Sequence, residues 1–540
     1  MSAGTIAAAA PAVAAPERKI NPWIVAAAVV IPTFMEVLDT TIANVALRYI
    51  AGGLSAPVTD SEWVITSYLA ANAIILPISG WIAVRLGRRN YFLLSIGIFT
   101  LASVMCGMAT NLGMLIAARV LQGFAGGGLQ PSSQGVLLDT FPPEKQGAAM
   151  TLFSVAALLA PVVGPTLGGY ITDNYGWRWI FYMNLPIGLI AIAFCRRVVF
   201  DPPYLKEAQT AARKLGAAFD TPGLCLLSVT MVCWEVMLSK GQEWDWISDP
   251  FYRVQTLMGL FVLCGGALVW REMRIRNPLI NFRTLADRNF RSCCIIIFCA
   301  YGVLYANTTS LPALLQSLFG YDATKSGLVL SPAGIFAVIV LLIIGRLMGR
   351  GVDARVLMGC GLFTLGVGNY WLSQLNLDVS PWQIVWPRVV VIAGLSMLFA
   401  PLNVAAFMHI PKELRGAAVG LLALLRNEGG SVGTSVAQTI EERREQFHAL
   451  RLNEYLDPMN PAVTNFLHDA SPAFAQVTSD PVAAKLMALQ TLDNLRQQQS
   501  STLAYFDVFT VLGWVSFVLI LTVFLMKRAV AEKGAHIAAD

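Results

Sequence analysis

Three ionisable residues stand inside stretches too apolar to be ordinary surface. Residues 32–47 read PTFMEVLDTTIANVAL, where Glu36 and Asp39 lie three apart on a helix face shared with Pro32, Ala43 and Ala46. Burial penalises the charged form of a carboxyl group and two carboxyls on one stripe repel, so such a pair is suited to loading and releasing protons near neutral pH. A charge at the bilayer centre costs about 2.5 kcal/mol even on the mildest scale, which makes every intramembrane ionisable residue a functional candidate. Further along, Arg119, Gln122, Gly126, Gln130 and Ser133 recur within about 40° of one line on a helix. A polar stripe of that kind faces a cavity or other helices, not lipid. The expected chemistry is proton carriage by Asp39, assisted by Glu36 and tuned by the Arg119 guanidinium. Gln122, Gln130 and Ser133 are expected to line a substrate cavity, and the plainer alternative for Arg119 is an ion pair that only fixes helix packing.

Other candidates are weaker in chemistry but specific in spacing. Ala156, Ala160, Gly164, Gly168 and Thr172 form a small-residue ladder every four positions, which lets helix backbones approach closely. Pro165 removes a backbone donor and is expected to bend that helix, so Gly164, Pro165, Gly168 and Gly169 read as a gate at the join of two halves. The loop GWIAVRLGRR offers Gly80 and Gly87 for a tight turn and Arg85, Arg88 and Arg89 for helix ends and lipid phosphates, the parts of a cytoplasmic latch. Near the end of the chain, Arg426 and Glu428 precede a second small-residue ladder, and Glu428 is a further candidate for the cavity. Glu235 reads as a snorkelling residue. Cys293 and Cys294 are adjacent and the four histidines scattered, so no metal site is expected. No Gly-x-x-x-x-Gly-Lys sequence is present to hold ATP, no cofactor is expected, and no Ser/His/Asp or Cys/His set suggests an enzyme.

What must position these residues is a set of membrane helices. Of 540 residues 56% are apolar and only 13% charged, about half the charge of a soluble domain. Windows of about 20 apolar residues give 14 transmembrane helices in an all-α membrane protein, the last three at about 382–408, 413–440 and 504–527. Alternate connections differ sharply in Lys and Arg, and the richer side holds both termini, which places them in the cytoplasm of an inner-membrane protein. Shifting the chain by 269 residues lays Arg119 on Arg388, Pro142 on Pro411, Gly147-Ala148-Ala149 on Gly416-Ala417-Ala418 and Gly164 on Gly433. The chain therefore reads as two six-helix bundles related by a pseudo-twofold along the membrane normal, with an inserted helix hairpin, a transporter architecture that binds substrate between the halves. Arg388 lacks the polar stripe of its mate and reads as structural. The expected domains are a disordered cytoplasmic tail (1–21), an N-terminal bundle (22–198), the hairpin with flanking loops (199–289), a C-terminal bundle (290–528) that includes an extracytoplasmic segment (441–503), and a second tail (529–540).

The motifs resemble those of the major facilitator superfamily, in particular its 14-helix drug:proton antiporters of the EmrB/QacA type, over residues 22–528. LDTTIANVA from Leu38 to Ala46 is similar to their first-helix motif, LIAARVLQG from Leu115 to Gly123 to the fourth-helix motif, and APVVGPTLGG from Ala160 to Gly169 to the fifth-helix antiporter motif. The stretch Gly80–Arg89 resembles the signature loop, with Val84 where an aspartate is usual. The resemblance implies proton-coupled export of hydrophobic or amphiphilic drugs and toxic compounds by alternating access. It also implies, through its Gram-negative EmrB branch, a periplasmic adaptor protein and an outer-membrane channel as partners. The alternatives are an exporter of an endogenous metabolite such as a fatty acid or siderophore, and a non-transporting membrane sensor or scaffold. No nucleic-acid partner is expected.

Overall fold

The computed structural model describes residues 21–201, 220–275, 278–411, 414–457, 459–478 and 480–528; both expected tails, the loop residues Lys206, Arg213 and Lys214, and Arg276 lie outside them. Fourteen long helices follow one another: α1 (Pro22–Gly53), α2 (Trp63–Leu86), α3 (Arg88–Gly107), α4 (Leu112–Thr140), α5 (Pro143–Tyr175), α6 (Trp179–Val198), α7 (Thr221–Lys240), α8 (Arg253–Arg274), α9 (Arg288–Ser317), α10 (Thr324–Gly349), α11 (Ala354–Ser373), α12 (Pro381–Phe407), α13 (Arg415–Asn453) and α14 (Pro481–Phe524). Their starts are written locally. Asp220, Asp287, Asp322, Asp353 and Asp480 each accept a first-turn backbone N–H, Ser380 and Gln383 form a capping box, and prolines 22, 222, 381 and 481 occupy first turns where a missing N–H costs nothing.

Twelve of these helices are long and apolar enough to cross a membrane, and α5, bent by 41° between Lys145–Pro161 and Val163–Tyr175, makes a thirteenth. The bend falls just after Pro161, one turn ahead of Pro165, where the Pro161 carbonyl lacks the donor that Pro165 cannot supply. α13 carries Arg426, Asn427 and Glu428 and does not pass on composition, yet it is packed among α2, α7, α9 and α14. The architecture is compatible with fourteen spans.

Helix packing repeats. α1 lies on α5 as α9 lies on α13; α2 and α3 lie on α4 as α10 and α11 lie on α12; α6 closes the first set as α14 closes the second. Two seams join the sets, α2 with α13 and α5 with α10. The 269-residue shift turns α2 into α10 and α5 into α13, so it exchanges one seam for the other, as a twofold requires. The hairpin α7–α8 lies outside, with α7 on α2 and α13 and α8 largely bare. Where α9 crosses α13, Gly429 stands against the Phe298 carbonyl and Gly433 against Gly302, leaving no room for a Cβ.

At 39 and 44 residues, α13 and α14 are about 58 and 66 Å long, roughly twice the hydrocarbon core of a membrane. They project together at the end of the molecule opposite Asn21. The sequence boundaries at 440 and 504 therefore lie inside continuous helices, and the chain turns between Asn453 and Pro461. Charges pair along the projection: Arg444 Nε reaches Asp507 Oδ2 at 2.5 Å, His448 Nε2 lies 2.8 Å from the same oxygen, and Ser501 Oγ donates to Glu445 Oε1 at 2.6 Å. A further helix, Pro461–Thr478, packs on α14.

Two predictions follow from this packing. Gly433→Val must push α9 and α13 apart, a core overpacking cost of about 1–3 kcal/mol, and thermal unfolding in detergent will show it, whereas Gly147→Ala meets nothing within 4 Å and will unfold like wild type. In the projection, loss of water around Glu441, beside Tyr505, pushes its carboxyl up to about 7. The raised value means the folded state favours the neutral form, so this stabilisation is full below the ordinary carboxylate range and is lost as pH rises through about 7. The protection of amides 441–453, that is their exchange relative to the base-catalysed intrinsic rate at each pH, will accordingly be greater in mild acid than in mild alkali, and Glu441→Gln will remove that change in protection.

Candidate transport site

α1 brings Asp39 inward because its polar stripe has no lipid-compatible alternative, and α4 brings Arg119 opposite. Both are buried, and Arg119 Nη1 donates to Asp39 Oδ2 at 2.5 Å. Gln122 Nε2 donates to Asp39 Oδ1 at 3.0 Å and Asn184 Nδ2 of α6 to the same oxygen at 2.7 Å. Arg119 is held in turn by the Val64 carbonyl of α2 at 3.0 Å and by Gln122 Oε1 at 2.8 Å, with its guanidinium 4.2 Å from the centre of the Tyr68 ring. Four helices thus close on one ion pair, with both carboxylate oxygens and the guanidinium Nε and Nη1 hydrogen-bonded. That is the condition under which a buried ion pair is tolerated.

Glu36, one turn earlier, occupies a separate place. Gln130 Nε2 donates to its Oε2 at 2.5 Å, Tyr68 Oη and Asn72 Nδ2 to its Oε1 at 3.3 and 3.4 Å. It faces a cavity between the two helix sets, lined also by Thr40, Asn72, Tyr301, Tyr305, Arg426 and Asn427. Measured at the centre of a water-sized sphere the cavity holds about 20 Å³, space for one or two waters, far below the several hundred Å³ of a site for a drug-sized ligand. Both seams are shut around it. Tyr68 joins the two carboxyl sites, its hydroxyl on Glu36 and its ring under Arg119. Across the cavity Arg426 lies 5.5 Å from the Tyr301 ring centre and 5.9 Å from that of Phe153.

The expected cavity residues divide. Gln130 lines it. Gln122 does not: it is fully buried in the Asp39 network. Ser133 does not either, since its hydroxyl is spent on the Val29 carbonyl and on Thr33, both at 2.8 Å, tying α4 to α1. Helical spacing put all three on one line, but the line runs from the Asp39 network, past the cavity, to the α1–α4 contact. Glu428 turns away from the cavity toward α7, where it meets Glu235 and Trp234; Glu235 is itself buried and accepts from Ser431 Oγ at 3.0 Å, so it does not snorkel. Arg388 is buried with Nε and Nη1 unpartnered among the described residues, since the repeat mate of Asp39 is Thr308.

The glycine ladder of α5 packs within one helix set. Gly164 stands against Thr41 and Gly168 against Ile42 of α1, and Pro165 and Gly169 are buried beside them. The join to the other set is made by the next face, where Thr166 Oγ1 donates to the Gly327 carbonyl of α10 at 2.8 Å. Between α2 and α3, Gly87 has φ 84°, the left-handed region open to glycine, whereas Gly80 lies inside α2 and makes no turn; a Cβ there would stand 3.3 Å from the Gly416 carbonyl of α13, so the end of α2 touches a seam. Arg88 pairs with Asp139 at the end of α4, a carboxylate supplied from another helix where Val84 offers none. Arg89 Nη2 donates to the Arg196 carbonyl at 2.8 Å, and Arg85 lies over Trp81.

Sequence reasoning missed Asn184, Tyr68, Asn72 and Asp139. Asn72 and Asn184 did carry a signal, a lone amide inside an apolar run; the two aromatic walls, Tyr301 and Tyr305, carried none.

Residues 29–434 match the Major Facilitator Superfamily, and the chain belongs to it. It is a membrane transporter of that superfamily, not an enzyme. Over 441 residues it is 37% identical to the multidrug export protein EmrB of Escherichia coli K12, covering 81% of this chain and 84% of that one. It is 33% identical over 513 residues to the probable multidrug resistance protein EmrY of the same organism (95% and 96% covered), and 35% identical over 443 residues to the fatty acid resistance protein FarB of Neisseria gonorrhoeae (82% and 84%). Among solved structures, a bacterial homolog of the human lysosomal transporter Spinster, inward-facing and unoccupied, shares the fold with a TM-score of 0.53 at 15% identity, covering 94% of this chain and 98% of that one.

The closed Asp39 network generates a direct prediction. Arg119→Met leaves a buried carboxylate without its cation and will destabilise the protein by about 3–5 kcal/mol. Adding Asp39→Leu will recover part of that loss, a non-additivity that denaturant titration of the two single variants and the double variant will measure.

Proposed function

We propose that the protein is a proton-coupled antiporter that exports hydrophobic or amphiphilic drugs and toxic compounds across the inner membrane by alternating access. The observation that carries this reading is the joining of two sites by Tyr68, an acid held by Arg119, Gln122 and Asn184 and an acid facing the cavity between the halves. Proton arrival at Asp39 neutralises the partner of Arg119 and frees the guanidinium to leave Val64 and Gln122. Because α1, α2, α4 and α6 all meet there, the event reaches the α2–α13 seam without a separate lever. Glu36 and Gln130, with Tyr301, Tyr305 and Arg426, form the substrate cavity, which must widen by opening one seam before a drug-sized molecule enters. In this reading α5 moves as a unit with α1 through Gly164 and Gly168, and the Arg88–Asp139 pair closes the cytoplasmic end.

Residues 22–198 and 290–528 are the two moving bundles and 199–289 the inserted hairpin. Both termini lie in the cytoplasm, by the excess of Lys and Arg on that side. The projection of α13 and α14 then stands in the periplasm as the docking surface for an adaptor protein that leads to an outer-membrane channel. Similarity to FarB favours, as a second reading of the same cavity, export of fatty acids. Asp39→Asn will abolish efflux of a lipophilic dye driven by a pH gradient in proteoliposomes, down to the level of empty vesicles, while the protein still inserts and elutes normally. Undiminished pH-driven efflux from the variant removes Asp39 from the mechanism.

A further inference from the structure

The hairpin α7–α8 has no part in the mechanism above, yet it carries a buried acid that meets another. Glu235 of α7 and Glu428 of α13 are 2% and 6% exposed, and Ser431, one turn along α13 from Glu428, donates to Glu235 Oε1 at 3.0 Å, so both carboxyls are buried at the α7–α13 contact. The groups that face them are Ser431 and Asn427 of α13 and Trp234 of α7, itself stacked on Phe261 of α8 with ring centres 4.7 Å apart. From α2 the contact to α7 is Thr66 with Ser239, at 2.5 Å. None of these is a cation. The nearby Arg426 is turned to Tyr301 and Phe153, and Lys240 of α7 is engaged by Glu62 and Glu243. Two carboxylates buried on one helix contact without a cation repel when both are ionised, and a proton held between them relieves that.

Placement gives the pair its meaning. Glu428 follows Asn427, which lines the cavity, and α7 rests on both α2 and α13, the two helices of one seam. Further along, Ser435 Oγ donates to the Leu238 carbonyl of α7 at 2.7 Å, and Trp246 Nε1 of the α7–α8 connection donates to Thr439 at 3.2 Å, so the hairpin is fastened to α13 at successive turns. We propose that Glu235 and Glu428 form a second proton-carrying site, one carboxyl from the inserted hairpin and one from α13 on the side away from the substrate cavity, which makes the hairpin part of the coupling machinery. The proposal deepens the exporter reading and rests on it. When the seam opens and water reaches Asn427, the shared proton leaves, the two carboxylates repel, and α7 loosens from α13; when the seam shuts, a proton must be regained. No other bond changes.

The test uses the full chain in proteoliposomes and a lipophilic rhodamine dye as the probe. Infrared difference spectra across neutral pH will show a protonated-carboxyl C=O stretch in wild type that is absent from the double variant Glu235→Gln, Glu428→Gln, and shifted in each single variant. With a pH gradient, the double variant will still move the dye but will exchange one proton fewer per dye molecule than wild type, whereas Asp39→Asn will move none. Gln keeps the amide partners of Ser431 and Asn427, so folding is preserved, and elution and unfolding temperature check it. An unchanged carboxyl band in the double variant, or an unchanged proton-to-dye ratio, overturns the proposal. If wild type moves no dye under a pH gradient while the band behaves as stated, the exporter reading fails and the shared proton stands.

Discussion

An ion pair removed from water on both sides constrains most of this molecule. Asp39 and Arg119 are each about 1% exposed at the side chain, and neither charge is sustainable there alone. Their polar atoms have to be answered, and the answers come from three helices: Val64 and the Tyr68 ring face on α2, Gln122 on α4 itself, and Asn184 on α6. That requirement fixes the mutual rotation of α1, α2, α4 and α6 more tightly than apolar packing does, because lipid and apolar side chains attract helices with little preference for one rotation over another.

The same network explains why one half of the repeat is chemically busy and the other quiet. At the equivalent position of α12, Arg388 remains while its acid has become Thr308 and its glutamine Val391. The fold keeps the guanidinium's place but not its partners, so the two halves are alike as packing units and unlike as electrostatic ones. A transporter with a single buried pair on one side of its pseudo-axis has a built-in asymmetry, and in the proposed mechanism only the N-terminal half senses the proton at Asp39.

The sequence made the helices and the pairing of Asp39 with Arg119 legible, because membrane solvation forces both: apolar runs must be helical, and a lone acid and a lone base in such runs must find each other. The repeat was legible from paired residues at one offset, and its consequence, two seams exchanged by the shift, appears in the packing. What failed was direction. Gln122 and Ser133 lie on the helix line that spacing gave, yet one is spent on Asp39 and the other on α1, since spacing ranks residues around an axis and cannot say which neighbour each meets along it. Gly164 and Gly168 were read as a gate between halves, but a small-residue ladder only states that some helix comes close, and here it is α1. Glu235 failed for a different reason: a carboxyl near a helix end reads as snorkelling unless a second helix from 190 residues away covers it, as α13 does through Ser431.

The closed cavity adds a constraint of its own. With space for one or two waters between Glu36, Tyr301 and Arg426, a substrate cannot be accommodated by side-chain rotation alone; whole helices must separate along a seam. The seams are built for separation of that kind. At α2–α13 the closest approaches are backbone to backbone, a Cβ on Gly80 falling 3.3 Å from the Gly416 carbonyl and one on Gly420 falling 3.1 Å from that of Leu76. Glycine contacts of this type interlock few side chains, so parting them forfeits little dispersion energy and strands no side-chain polar group, whereas parting α1 from α4 would break the Asp39 network outright. The buried ion pair therefore lies inside one helix set and glycine contacts lie between the sets, a distribution suited to rigid-body rocking.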